Sequence, residues 1–466
     1  MHSTTAAIGR LSAKANGRHV SRSRVAAFVL LLGMFIMTGT AAAQGTQSIT
    51  FEEAVRIALN QNVSLQQAEN TVELQTRDVF QQRMNFLPDL SFFTSGSRGS
   101  GFTQDQAGNN IAFTNQSVSG QVSTQVNLFR GFADVASLEQ ARYERDASEY
   151  SYDRARQDVV FDVVDRFLLY VNTREQVGIQ QENLESQRQQ LQQIEEFVNV
   201  GSRPISDLYQ QQALTAQAEL QVLNAEREAE LNKTRVIQVL QLDPFGEYEF
   251  VAPEVEDIAI TPQTYDLDAL LQAAFEQRAD IDAQEEVIRA ADQGIRIARS
   301  SYWPTVNLNG AYRSNFSPDI EGDFFNQLDL NRGNSVGFSI SYPIFDRFSR
   351  GTTVQQAQVQ HENAMLDLQN MRQQVALQVR QAYLDYLTNE KRVQVTETQV
   401  TAAEQAVEAA EERYNVGAGT LLELTQARAQ YVEAASNRVQ AGYDFLFQGK
   451  LVDYYVGRLN PSQPLF

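Results

Sequence analysis

The 466-residue chain has no cysteine, which excludes a disulfide framework, a thiolate metal cluster, a cysteine nucleophile and a lipid-anchored N-terminal cysteine. It has three histidines, His2, His19 and His361, too few for most catalytic triads or transition-metal sites. Basic residues are scarce beside acidic ones, 38 against 58, for a formal net charge of −20. Little is left to displace the counterions of a phosphate backbone, so no nucleic-acid partner is expected. A carboxylate pair could still hydrolyse a sugar, but no acidic cluster marks a pocket. No enzyme, no cofactor and no metal are the expectation. Long apolar runs are missing too: after residue 43 no stretch reaches 18 apolar residues, so no later helix is expected to span a membrane.

What is present begins with an address. Residues 1–24 carry Arg10, Lys14, Arg18, Arg22 and Arg24 and no acid, and Val25 to Met37 is apolar throughout. Small residues ending in Ala41-Ala42-Ala43 follow, so residues 1–43 are expected to be a secretory signal peptide. The apolar core is too short for a spanning helix. Cleavage after Ala43 removes five positive charges and takes the net charge from −20 to −25.

The remainder is one unit written twice. A shift of 216 residues lays Pro88 on Pro304, Phe129 on Phe345, Tyr170 on Tyr386 and Asn199-Val200-Gly201 on Asn415-Val416-Gly417. The expected division is a first repeat at 44–241, a Pro-containing linker at 242–265, a second repeat at 266–460 and a tail at 461–466. Each repeat opens on a helix start. Thr50 with Glu53 reads as a reciprocal capping box, and Asp266 stands at the matching place. A longer amphipathic helix then runs toward Pro88 or Pro304.

Next the period falls from 3.6 to 2. Val118, Val122, Val126 and Leu128 alternate with Ser117, Ser119, Gln121, Ser123, Gln125 and Asn127. Val336, Phe338, Ile340, Tyr342 and Ile344 alternate with Ser335, Gly337, Ser339 and Ser341. These, with strands around Leu90–Phe92 and Val306–Tyr312, predict hairpins over about 89–129 and 305–345, with loops at 99–116 and 317–334. Phe93 breaks the alternation.

Very long helices follow, within helical hairpins at about 132–241 and 351–457. From Phe132 to Asn199 there is no proline and one glycine, a length of about 100 Å at 1.5 Å per residue. Val163, Tyr170, Val177, Leu184, Leu191 and Val198 recur every seventh position, as do Val379, Tyr386, Val393, Val400, Val407 and Tyr414. Such a repeat calls for a coiled-coil partner. Gly201-Ser202-Arg203-Pro204 and Gly417-Ala418-Gly419 are the turns that return one in each repeat. His361, between Gln360 and Glu362, reads as solvent-facing.

Four alternating strands suit a soluble sandwich or a membrane barrel with its apolar side to lipid. A lipid-exposed sheet cannot keep open edges and closed barrels start at eight strands, so the membrane reading requires an oligomer of 8 or 12 strands. Thirteen glutamines between Gln176 and Gln221 fit either a solvated helix face or the wall of a water-filled tunnel. The competing class is a secreted coiled-coil adhesin or periplasmic scaffold without a pore.

The Phe51-Glu52-Glu53-Ala54 start, the Phe86-Leu87-Pro88 and Tyr302-Trp303-Pro304 stops and Pro343-Ile344-Phe345-Asp346 carry a resemblance. So do Asn199-Val200-Gly201 with Asp207-Leu208, and Tyr414-Asn415-Val416-Gly417 with Leu422-Glu423-Leu424. Together they resemble the TolC-type outer-membrane efflux proteins over essentially the whole chain after the signal; the C-terminal Phe466 also suits an outer-membrane protein. The resemblance implies a mainly α chain with a membrane β part: a duplicated unit of long coiled-coil helices forming an α-helical barrel, plus four strands per chain in a 12-strand trimeric barrel. It implies a homotrimer in outer-membrane lipid, extending into the periplasm. The trimer would be the passive exit duct of a tripartite efflux or type I secretion system. It would be opened by a periplasmic adaptor and an inner-membrane transporter whose class (RND, ABC or MFS type) and cargo stay open.

The resemblance also places a gate at the turns. Asp207 and Tyr414 match, Glu423 stands where aspartate is frequent, and Gly419 stands where some members have a gating arginine. Arg203, the first-repeat counterpart of Gly419, and Arg413 are the candidate replacement cations. Asp207→Ala with Tyr414→Phe is then expected to loosen the closed state. Simple heptad packing for Tyr414 and macrodipole pairing at helix starts for Asp207 and Glu423 stand beside those roles. The exposed turn residues Val200, Gly201, Ser202, Val416, Gly417 and Ala418 are the expected adaptor contact. A ring of carboxylates would favour cations.

Overall fold

The computed structural model describes residues 47–251 and 263–459. The signal segment, most of the linker and the tail with Phe466 lie outside the described residues. Of two compact units, the larger contains, among the described residues, 48–245, 249–251 and 263–459. The first-repeat elements are β1 (Gln47–Thr50), α1 (Phe51–Gln61), α2 (Val63–Met84), β2 (Ser91–Gln104), β3 (Asn110–Arg130), α3 (Ala133–Asn199) and α4 (Ile205–Val239). Then come β4 (Tyr248–Val251), α5 (Leu267–Gln277), α6 (Ala279–Ser300), β5 (Thr305–Phe316), α7 (Phe324–Leu330), β6 (Gly333–Ser341), α8 (Ser349–Asn415) and α9 (Leu421–Val456). Helix by helix the 216-residue shift holds: α1 falls on α5, α2 on α6 and α3 on α8, residue for residue.

Local chemistry explains the boundaries. Thr50 accepts from the Glu53 N–H at 3.3 Å, but the Glu53 carboxylate pairs with Arg56 instead of returning to the cap. Asn62 ends α1 and caps α2, accepting from Ser64 and Leu65 N–H at 2.9 and 3.2 Å. One asparagine thus closes the first helix and opens the longer one that the sequence places after it. At the matching joint Arg278 is buried, which it tolerates by bonding Asp280 through Nε and Nη2, at 2.9 and 2.6 Å, and the Tyr455 carbonyl through Nη1, at 3.2 Å.

The four long helices form a row, α4–α3–α9–α8; toward the sheet α2 and α6 take the positions beside α3 that α4 and α9 hold below. Apolar packing is concentrated near the middle. Phe51 and Phe250 both meet Phe167 edge-on, at 5.3 and 6.0 Å between ring centroids. In the second repeat Leu270, Ile281, Val379, Tyr386, Phe445 and Val452 make one cluster. Of the heptad positions, Val163, Tyr170, Leu184, Val379, Tyr386 and Tyr414 are buried, while Val177, Leu191, Val198, Val393, Val400 and Val407 are only half-buried. The seam toward the turns is partly polar: Gln187, Gln190 and Gln211 are inside it, with Gln211 Nε2 donating to Gln187 Oε1 at 2.7 Å. Those glutamines are therefore neither solvated face nor tunnel wall. His361 is half-buried on α8 rather than solvent-facing.

The sheet runs β2-β3-β5-β6, antiparallel throughout and open at both edges. Val118, Val122 and Val126 pair with Phe316, Tyr312 and Leu308, and Leu308 in turn pairs with Phe338, so one face is apolar. The other carries serine pairs Ser91–Ser123, Ser95–Ser119 and Ser97–Ser117, bridged hydroxyl to hydroxyl at 2.8 to 2.9 Å. Phe93 lies on that polar face opposite Gln121.

Both expected loops are shorter than the sequence implied. Pairing persists to Gln104↔Asn110, because glycine and serine weaken a strand without forbidding it and Phe113 packs over Gly101. The turn itself is held by Asp105, which accepts from Ala107 and Asn109 N–H at 2.8 Å each. The second expected loop contains α7, capped by Asp323. The second hairpin's strands end at Ser341, short of residue 345, and α8 starts at Ser349 rather than 351.

Candidate functional site

The two helical hairpins turn in the same way. The Gly201 and Ser202 N–H groups bond the Val198 and Phe197 carbonyls, and Gly417 and Ala418 bond Tyr414 and Arg413, at 2.8 to 3.0 Å. This is the Schellman pattern, which needs a left-handed residue just past the helix; Gly201 and Gly417 supply it at φ +76 and +78. The turns leave Val200 77% and Val416 78% exposed, a high value for an apolar side chain at both ends of a symmetric pair. Gly417→Ala is expected to cost about 1–2 kcal/mol from left-handed strain alone, since nothing stands within 4 Å of its Cβ position. The unfolding midpoint of the purified protein checks it.

Behind the turns Ile194, Tyr414, Leu421 and Leu424 are buried together. Arg203 reaches from the first turn to the second hairpin: its guanidinium lies 4.4 Å from the Tyr414 ring centroid and donates to the Tyr414 carbonyl at 2.6 Å. The Tyr414 hydroxyl is buried without a partner among the described residues, and burial pushes its pKa up against the opposing pull of Arg203. Arg413 and Glu423 pair at 3.2 Å, both substantially exposed. Glu423 also starts α9, where its N–H donates to Thr420. Asp207 makes no ion pair among the described residues; its side chain only meets the Ser206 hydroxyl at 3.5 Å, the limit for a hydrogen bond. The structure thus joins Arg203 to Tyr414 and Arg413 to Glu423, while Asp207 is unpaired among the described residues but near enough to Tyr414 for its charge to add to the upward shift. Gly419 is crowded: a Cβ there would lie 3.2 Å from Arg413 and Tyr414 backbone atoms.

Sequence reasoning missed the neighbours of this cluster. Gln193 donates to Asn415 between the hairpins at 3.2 Å. Within the second hairpin Arg428 pairs with Glu411, Arg438 with Glu397 and Arg392 with Asp444. Arg438 with Glu397 and Arg392 with Asp444 join residues nearly equidistant from the Gly417 turn, so folding the sequence back on that turn would have found those two pairs. A nearby recess of about 470 Å³ is lined by Gln180, Gln187, Gln217, Gln221, Glu433 and Ser436 among others. Among the described residues no group of His, Asp or Glu is placed to hold a metal ion.

Long paired helices below a four-stranded sheet with one apolar face agree with what comparison finds. The family model for outer membrane efflux proteins matches residues 54–240 and 270–447. The chain belongs to the outer membrane efflux protein family. Among similar proteins, CyaE of Bordetella pertussis is 25% identical over 395 residues, 83% of this chain and 79% of that one. The outer membrane protein TolC of Escherichia coli is 22% identical over 358 residues, 74% of this chain and 71% of that one. Solved structures share the fold. VceC of Vibrio cholerae aligns with a TM-score of 0.73 at 18% identity, covering 87% of this chain and 96% of that one. The CmeC channel of Campylobacter jejuni aligns with a TM-score of 0.75 at 19% identity, covering 89% and 87%.

As an outer membrane efflux protein the chain is a channel component of the Gram-negative outer membrane, extending into the periplasm, and not an enzyme. The reading as a secreted adhesin or scaffold is set aside. Among the described residues no helix is long and apolar enough to cross a membrane.

Proposed function

We propose that three copies close into a 12-strand barrel above an α-helical barrel and serve as the passive exit duct of a tripartite efflux or type I secretion system. The observation that carries this is that both layers are open at matching ends. The sheet ends on β2 and β6; the helix row ends on α4 and α8. Each outer helix carries an exposed apolar stripe, Leu220, Leu223 and Leu231 on α4 and Leu377, Leu384 and Val395 on α8. Edges that differ from one another call for a head-to-tail ring, and a lipid-facing sheet cannot stay open. The family resemblance supports three copies over two. In this reading residues 1–43 are removed on export and 44–241 and 266–460 are the two structural repeats.

The turns are the periplasmic tips. Val200, Gly201, Ser202, Val416, Gly417 and Ala418 meet the adaptor, which together with an inner-membrane transporter opens the duct. Arg203 clamped on Tyr414 is the principal latch, Arg413 with Glu423 an outer one, and Asp207 a carboxylate free to face a neighbouring copy.

The absence of cysteine allows a direct test. Thr94→Cys on β2 and Phe338→Cys on β6 would be combined and treated, in outer membranes, with a bis-maleimide. The linker should be shorter than the roughly 14 Å that three strand spacings put between the edges of one sheet. Dimer and trimer bands are expected from the double variant and none from either single variant. A ladder that stops at two copies, or a dimer from a single variant, would refute the ring.

A further inference from the structure

The sheet's two faces differ, and α7 has chosen one of them. Along β5 the even-numbered residues share the apolar face: Leu308, Tyr312 and Phe316 pair with Val126, Val122 and Val118, and side chains alternate without a break along this strand. The segment after β5 returns to that face. The Phe324 ring meets Phe316 edge-on at 5.1 Å, and the Ser314 hydroxyl, on the same face, donates to the Leu328 carbonyl at 2.7 Å. So α7 rests on the apolar side at the end of the sheet remote from the long helices, not over the serine-lined side.

The segment is also built to hold one shape. Gln327 is buried beneath it, accepting from the Ser317 N–H at 2.9 Å and donating to the Ile320 and Gly322 carbonyls at 2.7 and 3.0 Å. Ser317 donates to the Gln116 carbonyl and Asp319 accepts from the Gln116 N–H, at 2.6 and 2.7 Å, which ties the segment to β3. Yet this tightly bonded segment leaves Ile320, Phe325 and Leu330 56%, 78% and 73% exposed. A turn that satisfies its own polar groups while presenting apolar ones outward is not shaped for water.

We infer that α7 and its flanks are a lipid-contacting element that seats Ile320, Phe325 and Leu330 among the upper acyl chains of the outer leaflet. The occupant follows from continuity. The exposed side chains extend the apolar face of the sheet toward the headgroup layer, where amphipathic and aromatic groups are favoured. Asp323, which caps α7, and the Asp329–Arg332 pair at 2.9 Å are exposed beside them and supply a polar rim. This rests on the reading of the sheet's apolar face as lipid-facing, and the element would fix how deep the barrel sits at its outer end.

The test uses the full chain with its one tryptophan replaced, Trp303→Phe, and a single new reporter. Phe325→Trp places it on α7; Phe338→Trp places it on the sheet's apolar face; Ile320→Trp serves if the first does not assemble. Each protein is reconstituted in phosphatidylcholine vesicles, plain or brominated on the upper acyl chains. The α7 and sheet reporters are both expected to lose most of their emission in brominated vesicles. Quenching of the sheet reporter alone would overturn the inference and leave the membrane sheet standing, with α7 facing water or a neighbouring copy. Quenching of neither would overturn both.

Discussion

Gly131→Ala is expected to lower the stability of the assembled protein by about 2–5 kcal/mol. Gly131 adopts φ +62 where β3 passes into α3, and left-handed backbone alone costs an alanine about 1–2 kcal/mol. The larger part is contact. An added Cβ would lie 2.4 Å from the Ser300 carbonyl oxygen and 2.9 Å from the Trp303 Cβ, and overpacking of this kind costs about 1–3 kcal/mol more. The equivalent position in the second repeat is Arg347, at φ +56. Both junctions therefore use the same backbone shape, followed in each by a left-handed phenylalanine, Phe132 and Phe348. Glycine is needed at the first because the end of α6 presses against it. Heat-dependent loss of the folded band on gels measures the effect. A midpoint no lower than that of Gly417→Ala, which carries the strain without the contact, would contradict it.

Arg203→Ala is expected to loosen the tips more than any other change in the proposed latch. It removes a charged hydrogen bond and a cation–π contact, together worth about 2 kcal/mol per chain, or more than tenfold in the local equilibrium. Glu423→Gln should matter far less, because its pair with Arg413 is exposed and such pairs are worth about 0–1 kcal/mol. Tyr414→Phe is expected to be neutral or slightly stabilising, since it removes a buried hydroxyl that has no partner among the described residues. The loss thus moves from the tyrosine hydroxyl, where the family resemblance pointed, to the arginine above the ring. Cells dependent on the channel would be challenged with a large hydrophilic antibiotic that intact outer membranes exclude. Sensitisation by Arg203→Ala but not Tyr414→Phe is expected. The reverse order would show that the hydroxyl is the lock.

The architecture was legible because its two periodicities are so different. Alternation over Ser117–Leu128 can only be a strand, and the absence of proline from Phe132 to Asn199 leaves a helix nothing to stop it. Less readable were features decided by side chains meeting across turns. A longer helix was expected after the first, but the position of the α1–α2 joint depends on Asn62 as a cap, which an amphipathic pattern does not register. Gln187 and Gln211 look like surface residues until the antiparallel register sets them opposite each other in the seam. Gln327 looks like loop because its buried bonds go to backbone groups only folding brings near. At the tips, Arg203 and Tyr414 were named as candidates. Their contact was not, because it depends on the first turn reaching the second hairpin, 211 residues away in sequence. The ion pairs that zip α8 to α9 lie within one hairpin and needed only the register set by the Gly417 turn.

In the proposed assembly, copies of this chain enclose a water-filled path that is narrow at the tips and acidic in balance. Single-channel recording of the detergent-purified assembly in a planar lipid bilayer tests it most directly. Discrete, cation-selective steps are expected from the natural chain, with larger steps from Arg203→Ala at the same salt. Insertion without discrete conductance, or steps that favour anions and do not grow in Arg203→Ala, would contradict it.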